Sequence, residues 1–283
     1  FRSMNIKKIF YRLILPLIAP VCLLLVWQYA ALKIENDVVL PTVGQVWTLL
    51  THPYEDLLSM GSMTDNLWMS TVRVFFGYMA GLVLALPLGI LMGHYKLVNR
   101  FFTPIIEMLR PMPPLSWIPL ILAWFGVASF ATLIGIEEGE WYVLLNNIKF
   151  SMLIIIFIGA FFPILLNTVH GVSGVRATLI DSARVLGASE RDIFFKILLP
   201  AAAPSIVTGM RLGLGVSWMC LVAAEMMPGS ISGIGYIITH AYTVARTDIV
   251  IAGMIAIGVM GLVIDWAFRL FEERCFAWQK MAR

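Results

Sequence analysis

The chain has 283 residues, of which 60% are hydrophobic and only 13% are charged, and its mean hydropathy is +0.87. Soluble domains carry about 25% charged residues, so this composition excludes a cytosolic enzyme and a disordered protein. A net charge of only +3 without a basic block excludes a nucleic-acid binder. Cys22, Cys220 and Cys275 have no short spacing and indicate neither a disulfide framework nor a zinc site.

Apolar runs long enough to cross a bilayer recur along the chain. About 20 apolar residues form a membrane-spanning helix, and six runs of this size predict an all-α, polytopic membrane protein with one transmembrane domain over residues 13–270. The predicted spans are Leu13–Leu32, Val74–Gly93 (with a start nearer Leu67), Pro111–Ile136, Phe150–Val175, Ala201–Ala224 and Ile249–Leu270.

The distribution of basic residues predicts the orientation of these spans. Most Lys and Arg residues lie before the first run, or after the second, fourth and sixth, whereas acidic residues concentrate in the other loops. Because basic loops stay on the cytoplasmic side, both termini are predicted to be cytoplasmic. Residues 1–12 then form an N-terminal segment, in which residues 1–3 ahead of Met4 are interpreted as a tag remnant, and residues 271–283 form a cytoplasmic tail.

The longest polar stretch on the predicted cytoplasmic side is residues 176–200. Its first part has helical periodicity as far as Leu186, and Gly187 then permits a left-handed turn. Ser189 followed by Asp192 resembles a capping box and predicts a second helix, which Pro200 is expected to end. That helix presents an apolar stripe, which needs a partner protein or packs on the chain's own helices or on lipid headgroups: Ile193, Phe194, Ile197 and Leu198.

This loop resembles the cytoplasmic signature of permeases from binding-protein-dependent ABC importers, which reads Glu-Ala-Ala, three residues, Gly, nine residues, Ile, any residue, Leu-Pro. The departures are Asp181 for Glu and Ser182 for Ala, and every spacing fits. The matching residues are Asp181, Ser182, Ala183, Gly187, Ile197, Leu199 and Pro200.

Further segments are similar to one branch of that family, the importers of nitrate, aliphatic sulfonates, taurine and bicarbonate. The resemblance covers essentially the whole chain, although the predicted outer segment Ala128–Met152, with Glu137, Glu138 and Glu140, looks longer than usual. The similar segments are Leu40–Trp47, Leu109–Leu120, Gly159–Val172, Leu186–Ser189 and Leu221–Met226.

The resemblance implies a type I importer permease with about six transmembrane helices and a cytoplasmic coupling helix, in a bacterial or archaeal plasma membrane. Its implied partners are two ATPase subunits, a solute-binding protein outside, and a second permease, most simply another copy of this chain or else a different one. ATP and magnesium would be bound by the ATPases, with no cofactor in this chain, which lacks a G-x-x-x-x-G-K-[ST] loop. The implied coupling residues are Asp181, Ser182, Ala183, Gly187, Ala188, Ser189, Glu190, Asp192, Phe194, Ile197, Leu199 and Pro200.

Ionisable residues inside spans are candidates for function, because they are costly in a bilayer unless paired. For Arg73, Glu107 and Asp265, near span ends, an ion pair or snorkelling is the favoured interpretation. The prolines after Arg110 must break the helix, which is tolerated against protein or a water-filled cavity. The predicted translocation pathway comprises Arg110, Pro113, Ser116, Trp117, Arg211, Trp218, Met219 and Glu225.

Each pathway residue also has an ordinary structural interpretation. Arg110 and Arg211 would supply positive potential to an anion pathway or form internal ion pairs. Trp218 and Met219 are either an outer gate or core and lipid contacts, while Gly209 and Gly213 have the spacing of close helix packing.

Two other classes of protein remain as alternatives. An ion-coupled secondary transporter working alone would need no coupling loop and often shows inverted repeats. An integral membrane enzyme would need a catalytic constellation, and the sequence has no evident Ser/His/Asp or Cys/His arrangement. The four histidines are isolated, so no metal site is predicted.

Overall fold

The computed structural model describes residues 15–126, 128–136 and 138–275. The predicted segment 1–12, most of the predicted tail 271–283, and Glu137 lie outside the described residues. Regular structure within the described ranges is helical, with two isolated β-bridges. The helices are α1 (Leu15–Ile34), α2 (Val43–Thr51), α3 (Met63–His94), α4 (Lys96–Leu109), α5 (Ile118–Phe125), α6 (Phe130–Ile134), α7 (Glu140–Asn147), α8 (Phe150–Ser173), α9 (Ala177–Val185), α10 (Glu190–Glu225), α11 (Ile234–Thr243) and α12 (Thr247–Cys275).

Five of these helices, α1, α3, α8, α10 and α12, are long and apolar enough to cross a membrane. They correspond to five of the six predicted spans. The all-α prediction is therefore confirmed for the described residues, and the third predicted span is the exception.

The third predicted span, Pro111–Ile136, is not one continuous helix. A 3₁₀ turn at Pro114–Trp117 leads into α5, and the combined helix Pro114–Phe125 has 12 residues. At 1.5 Å per residue it covers roughly 18 Å, which is less than the roughly 30 Å of a bilayer core. The prolines before it remove backbone donors, and Gly126 ends it with a φ of +53°.

Glycines allow α3 and α8 to pack at very short range. A Cβ atom on Gly77, Gly81, Gly89 or Gly93 would lie only 2.6–2.7 Å from side-chain atoms of α8. The facing residues rise in number along both helices, so α3 and α8 run in the same direction, and the chain between them must return across the membrane. The broken third segment lies in that return path. The facing pairs are Gly77 with Ile156, Gly81 with Ala160, Gly89 with Thr168, and Gly93 with Val172.

Helices α8 and α10 are packed antiparallel. Cβ atoms added to Gly159 and Gly171 of α8 would lie within 3 Å of Cys220 and Ser205, respectively. Gly209 and Gly213 make the same close approach from the α10 side, which confirms the predicted close helix packing. Helix α8 therefore lies between α3 and α10.

The described chain divides into two compact units, and the second contains the loop 176–200 and the predicted pathway residues. The first holds the described residues up to Asp65 together with residues 237–257, and the second holds residues 66–236 and those from 258 onward. In the first unit, the Trp27 indole donates to the Pro41 carbonyl over 3.0 Å, and the Gln28 side chain accepts from the Val43 amide at 3.0 Å. These bonds fasten α1 to the beginning of α2.

Candidate functional site

The loop 176–200 has the predicted two-helix form. Helix α9 ends in a Schellman motif, in which the Gly187 amide donates to Arg184 and the Ala188 amide donates to Ala183. Gly187 has a φ of +85°, which confirms the predicted left-handed turn. The Ser189 side chain accepts from the Asp192 amide at 3.2 Å, so α10 begins with the predicted cap.

Pro200 does not end the second helix, contrary to prediction. Helix α10 is α-helical at Glu190–Asp192, π-helical over Ile193–Leu198, and α-helical again over Leu199–Glu225. Proline normally clashes with the carbonyl four residues earlier. The wider π turn ends two residues before Pro200, and α10 continues past Pro200 into its membrane-spanning part.

The loop exposes a different set of apolar residues from the predicted stripe. Ile193 and Leu198 are buried, and half-buried Phe194 packs near Leu198 and edge-on against the His94 ring. The predicted stripe therefore packs on the chain's own helices. The large apolar side chains that remain exposed are Leu179, Val185, Leu186 and Phe195, with Val185 and Leu186 at 88% and 87%.

Charged residues border this exposed surface. Arg184 Nε lies 2.8 Å from the Glu190 carboxylate, and Lys196 pairs with Asp192. The hydrogen bond to Glu190 raises the pKa of Arg184. Of the coupling residues implied by the resemblance, Ala183 is buried, and the others fall into two groups: Asp181, Ser182, Gly187, Ser189 and Glu190 are exposed, while Ala188, Asp192, Phe194, Ile197, Leu199 and Pro200 are half-buried.

The predicted pathway residues do not lie together in one site. Arg110, Pro113 and Ser116 are exposed around the broken third segment. The Trp117 indole nitrogen there is buried and has no hydrogen-bond partner among the described residues. Trp218 on α10 is 5% exposed, whereas the neighbouring Met219 is 72% exposed.

Arg211 belongs to a partly exposed ion cluster. Its Nε and Nη2 donate to the two Asp265 carboxylate oxygens at 2.7 and 3.0 Å, and Arg269 donates to the same carboxylate at 3.0 Å. Arg211 and Asp265 are 34% and 37% exposed. The cluster joins the middle of α10 to α12, and the ion pair predicted for Asp265 is confirmed.

Glu225 is fully buried and forms an ion pair with Arg73, 2.6 Å away. The Ser70 hydroxyl donates to both Glu225 oxygens, and the Gly235 amide donates to one of them. A Cβ atom on Gly233, whose φ is +111°, would lie 2.3 Å from the Glu225 carboxyl. The loop after α10 can therefore fold over this carboxylate only with glycine at that position.

Arg73 connects the same pair to two further segments. Its Nε donates to the Asn147 carbonyl at 2.9 Å, and its other nitrogens donate to the carbonyl and hydroxyl of Ser232 at 2.8 and 2.6 Å. Lys149 donates to the Gly229 carbonyl nearby, and burial together with the Arg73 charge lowers the pKa of Lys149. We call Ser70, Arg73, Asn147, Glu225 and Ser232 the Arg73 network.

Sequence reasoning identified Arg73 and Glu225 singly but missed their pairing. The two residues are 152 positions apart, and no local pattern connects them. The available signal was their charge, since one isolated cation and one isolated anion in apolar runs each need a partner. The exposed Val185, Leu186 and Phe195 were also missed. Phe195 lies inside the π turn of α10, which changes the face that the helix leaves free, whereas Val185 and Leu186 lie at the end of α9 and in the turn after it.

The predicted outer segment Ala128–Met152 is closed at its base and connected to the Arg73 network. The Phe130 amide donates to Ile148 and the Phe150 amide donates to Ala128, and the rings of Phe130 and Phe150 are 4.5 Å apart. Helices α6 and α7 therefore form a hairpin between two fixed ends, and α7 leads directly into Asn147 of the network.

Long apolar helices with close glycine packing, together with a polar loop that exposes an apolar surface, define a multi-pass membrane protein. The chain belongs to the family described as the binding-protein-dependent transport system inner membrane component, whose model matches residues 85–276. It is a permease subunit of an ABC transporter. This membership sets aside the alternatives of a transporter working alone and of a membrane enzyme.

Curated relatives match nearly the full chain. A putative ABC transporter permease of Methanocaldococcus jannaschii is 46% identical, covering 99% of this chain and 96% of the relative. A putative aliphatic sulfonates transport permease of Bacillus subtilis is 35% identical, covering 93% and 87%. A nitrate import permease of Synechocystis sp. is 34% identical, covering 93% and 89%.

A solved structure supports the fold. A chain of the MetNI methionine ABC transporter, described in inward-facing conformations, aligns with a TM-score of 0.56 at 18% identity. The alignment covers 74% of this chain and 94% of that chain. The type I importer permease fold implied by the sequence is thereby confirmed.

Proposed function

We propose that this chain forms the translocation pathway of an importer for small anions and is driven by separate ATPase subunits docked on residues 176–200. The observation that carries the proposal is the exposed apolar surface of that loop. Val185 and Leu186 are almost fully exposed at the turn between α9 and α10. An apolar surface held out at a rigid turn favours a protein partner.

The surroundings of this surface fit an ATPase groove. The Arg184–Glu190 and Asp181–Arg184 pairs border the turn with both signs of charge, and charged residues of this kind typically form the rim of an interface around an apolar centre. ATP and magnesium would be bound by the ATPases, two per complex, and the chain would contribute no cofactor.

A second copy of this chain would complete the pathway. The Arg211–Asp265–Arg269 cluster is about one third exposed although it joins two membrane-spanning helices. Charged side chains within membrane-spanning helices are stable against protein or a water-filled cavity rather than against lipid. A homodimer covers the cluster with protein or encloses it in the pathway, and it supplies one coupling loop for each ATPase.

The remaining parts of the proposal concern orientation and cargo. The basic loops would face the cytoplasm with both termini, and a solute-binding protein would dock on the opposite face. Small anions are supported by the relatives named for aliphatic sulfonates and nitrate. The pathway residues named above stay predictions within this scheme.

Gly187→Val tests the coupling surface. Gly187 has a positive φ, and a Cβ atom there would meet nothing within 4 Å. Valine therefore strains the turn without a steric clash, and we expect the membrane fold to persist while ATPase assembly or coupling is lost. The measurement is co-purification of the ATPase and ATP-driven uptake of radiolabelled taurine, nitrate or methanesulfonate in vesicles that contain the binding protein.

Gly135→Val is the matched control. Gly135 also has a positive φ of +73° and open space around it, but it lies in the predicted outer segment. It should leave ATPase assembly intact. Normal coupled uptake by the Gly187 variant would refute the docking site, and uptake by the chain alone driven by an ion gradient would refute the importer assignment.

A further inference from the structure

A cavity of about 410 Å³ opens between the broken third segment, α8 and α10. This volume lies in the range of sites for small ligands, about 300–1,000 Å³. His170 lies within the last turn of α8 and Arg110 follows the last residue of α4, so the cavity reaches the helix ends that face the predicted cytoplasmic side.

Three polar side chains converge on this cavity. Arg110 reaches it from the end of α4, and Asn167 and His170 reach it from one face of α8, since they are three residues apart on that helix. No aspartate or glutamate is among the described residues that line it. The guanidinium therefore gives the cavity a positive potential.

The donors of these side chains are available to a ligand. Across residues 15–126, 128–136 and 138–275, neither the Arg110 guanidinium nor the His170 ring has a hydrogen bond or an ion pair. Asn167 Nδ2 donates one hydrogen to the Pro163 carbonyl at 2.8 Å, and its second hydrogen can donate to a ligand. By contrast, Arg73 and Arg211 are both neutralised by carboxylates.

The rest of the cavity wall is mainly apolar. Ile158 and Phe162 from α8 and Val216 from α10 face the same space. A free inorganic anion such as nitrate has nothing to place against these side chains. A small anion with a short hydrocarbon body could place its charged group at the donors and its hydrocarbon on Phe162.

We propose that Arg110, Asn167 and His170 form a binding station for the charged group of a small organic anion, of the short alkanesulfonate class, whose apolar part lies on Ile158, Phe162 and Val216. The inference rests on the proposed function, since it assigns the station to cargo on the import pathway. Arg110 supplies the charge, and the two α8 side chains orient the oxygen atoms.

Thermal unfolding of the purified full-length permease, alone and with its ATPase, tests the station. The probes are methanesulfonate, ethanesulfonate, butanesulfonate and nitrate at constant ionic strength, because a ligand that binds the folded state raises the unfolding temperature with concentration. Wild-type affinity should rise about fourfold for each added methylene. Arg110→Gln should weaken butanesulfonate binding about tenfold or more, since it removes a charged donor.

Arg100→Gln is the matched control, because Arg100 is an exposed arginine on α4 that does not line the cavity. It should bind butanesulfonate as the wild type does, and both variants should unfold at the wild-type temperature without ligand. Equal butanesulfonate affinity of the two variants would refute the proposed binding site. Nitrate binding as tight as butanesulfonate binding would also refute it. Failure of the ATPase to assemble with the permease would count against the proposed function instead. The ligand titration of the permease alone would still test the binding site.

Discussion

Arg73 keeps a positive charge at a place from which water is excluded, with acceptors on three separate segments of the chain. Glu225 supplies the opposite charge, while Asn147 and Ser232 accept the remaining donors. A buried ion pair contributes little compared with well-packed apolar residues, but removal of one partner leaves an uncompensated charge. The network therefore makes four parts of the chain depend on one another: α3, α7, α10 and the loop after α10.

Glu225→Gln should lower the free energy of unfolding by about 3–5 kcal/mol, because Arg73 would stay buried without its counter-ion. The midpoint of thermal unfolding of the purified protein measures this loss. Replacement of both residues, Arg73→Met with Glu225→Leu, should be less destabilising than Glu225→Gln alone.

Asp248→Asn provides the control for that prediction. It breaks the Arg246–Asp248 pair, whose arginine is 48% exposed, and such pairs contribute about 1 kcal/mol or less. If the Glu225 and Asp248 variants unfolded at the same temperature, the buried pair would have no special role in the fold.

At the scale of helices, packing of α8 is decided by residues that have no side chain. Gly81 brings the α3 backbone against Ala160, where an added Cβ atom would lie 2.7 Å from the Ala160 Cβ atom. Neither atom can rotate away, so the two helices would have to separate. Dispersion contacts along the whole interface would then weaken.

Gly81→Ala should therefore destabilise the protein by about 1–3 kcal/mol, the usual cost of overpacking. Gly215→Ala on α10 is the counterpart, since a Cβ atom there would meet nothing within 4 Å, and alanine has the higher helix propensity. Unfolding temperatures of the two variants in the same detergent give the comparison. A destabilised Gly215 variant beside an unaffected Gly81 variant would contradict the packing described.

Local features of the helices could be predicted from sequence, whereas distant ones could not. Gly187 and the Ser189 cap depend on a few neighbouring residues, so their pattern predicts the turn and the helix start. The prediction that Pro200 ends the second helix was wrong, because the effect of this proline depends on the π turn before it. The partners of Arg73 come from distant segments, and only the assembled helices bring them together.

For the whole molecule, the decisive question is whether the broken third segment crosses the membrane. Parallel packing of α3 and α8 requires a return crossing between them, yet Pro114–Phe125 is too short to span the bilayer as a helix. Backbone that is not helical survives at membrane depth against protein or a water-filled cavity. The third predicted span is thus the one with the shortest apolar helix, and it borders the cavity lined by Arg110.

Cysteine labelling should place Tyr54 and Leu186 on opposite sides of the membrane. Both side chains are highly exposed, at 82% and 87%, and three crossings separate them when the broken segment counts as one. In a background without the native cysteines, an impermeant thiol reagent should modify Tyr54→Cys in intact cells and Leu186→Cys only after permeabilisation. Labelling of both from the same side would show that the third segment does not cross.

The continuity of α10 has a mechanical consequence. Its 36 residues run without a break from Glu190, beside the exposed turn, to Glu225 in the Arg73 network, a length of roughly 54 Å at the α-helical rise. Because the exposed turn and the Arg73 network lie at the two ends of one helix, a movement of that helix would displace both together. We expect a displacement at Glu190 to reach the Arg73 network along this one helix, and bending at the π turn of Ile193–Leu198, which lies between the two ends, to reduce it.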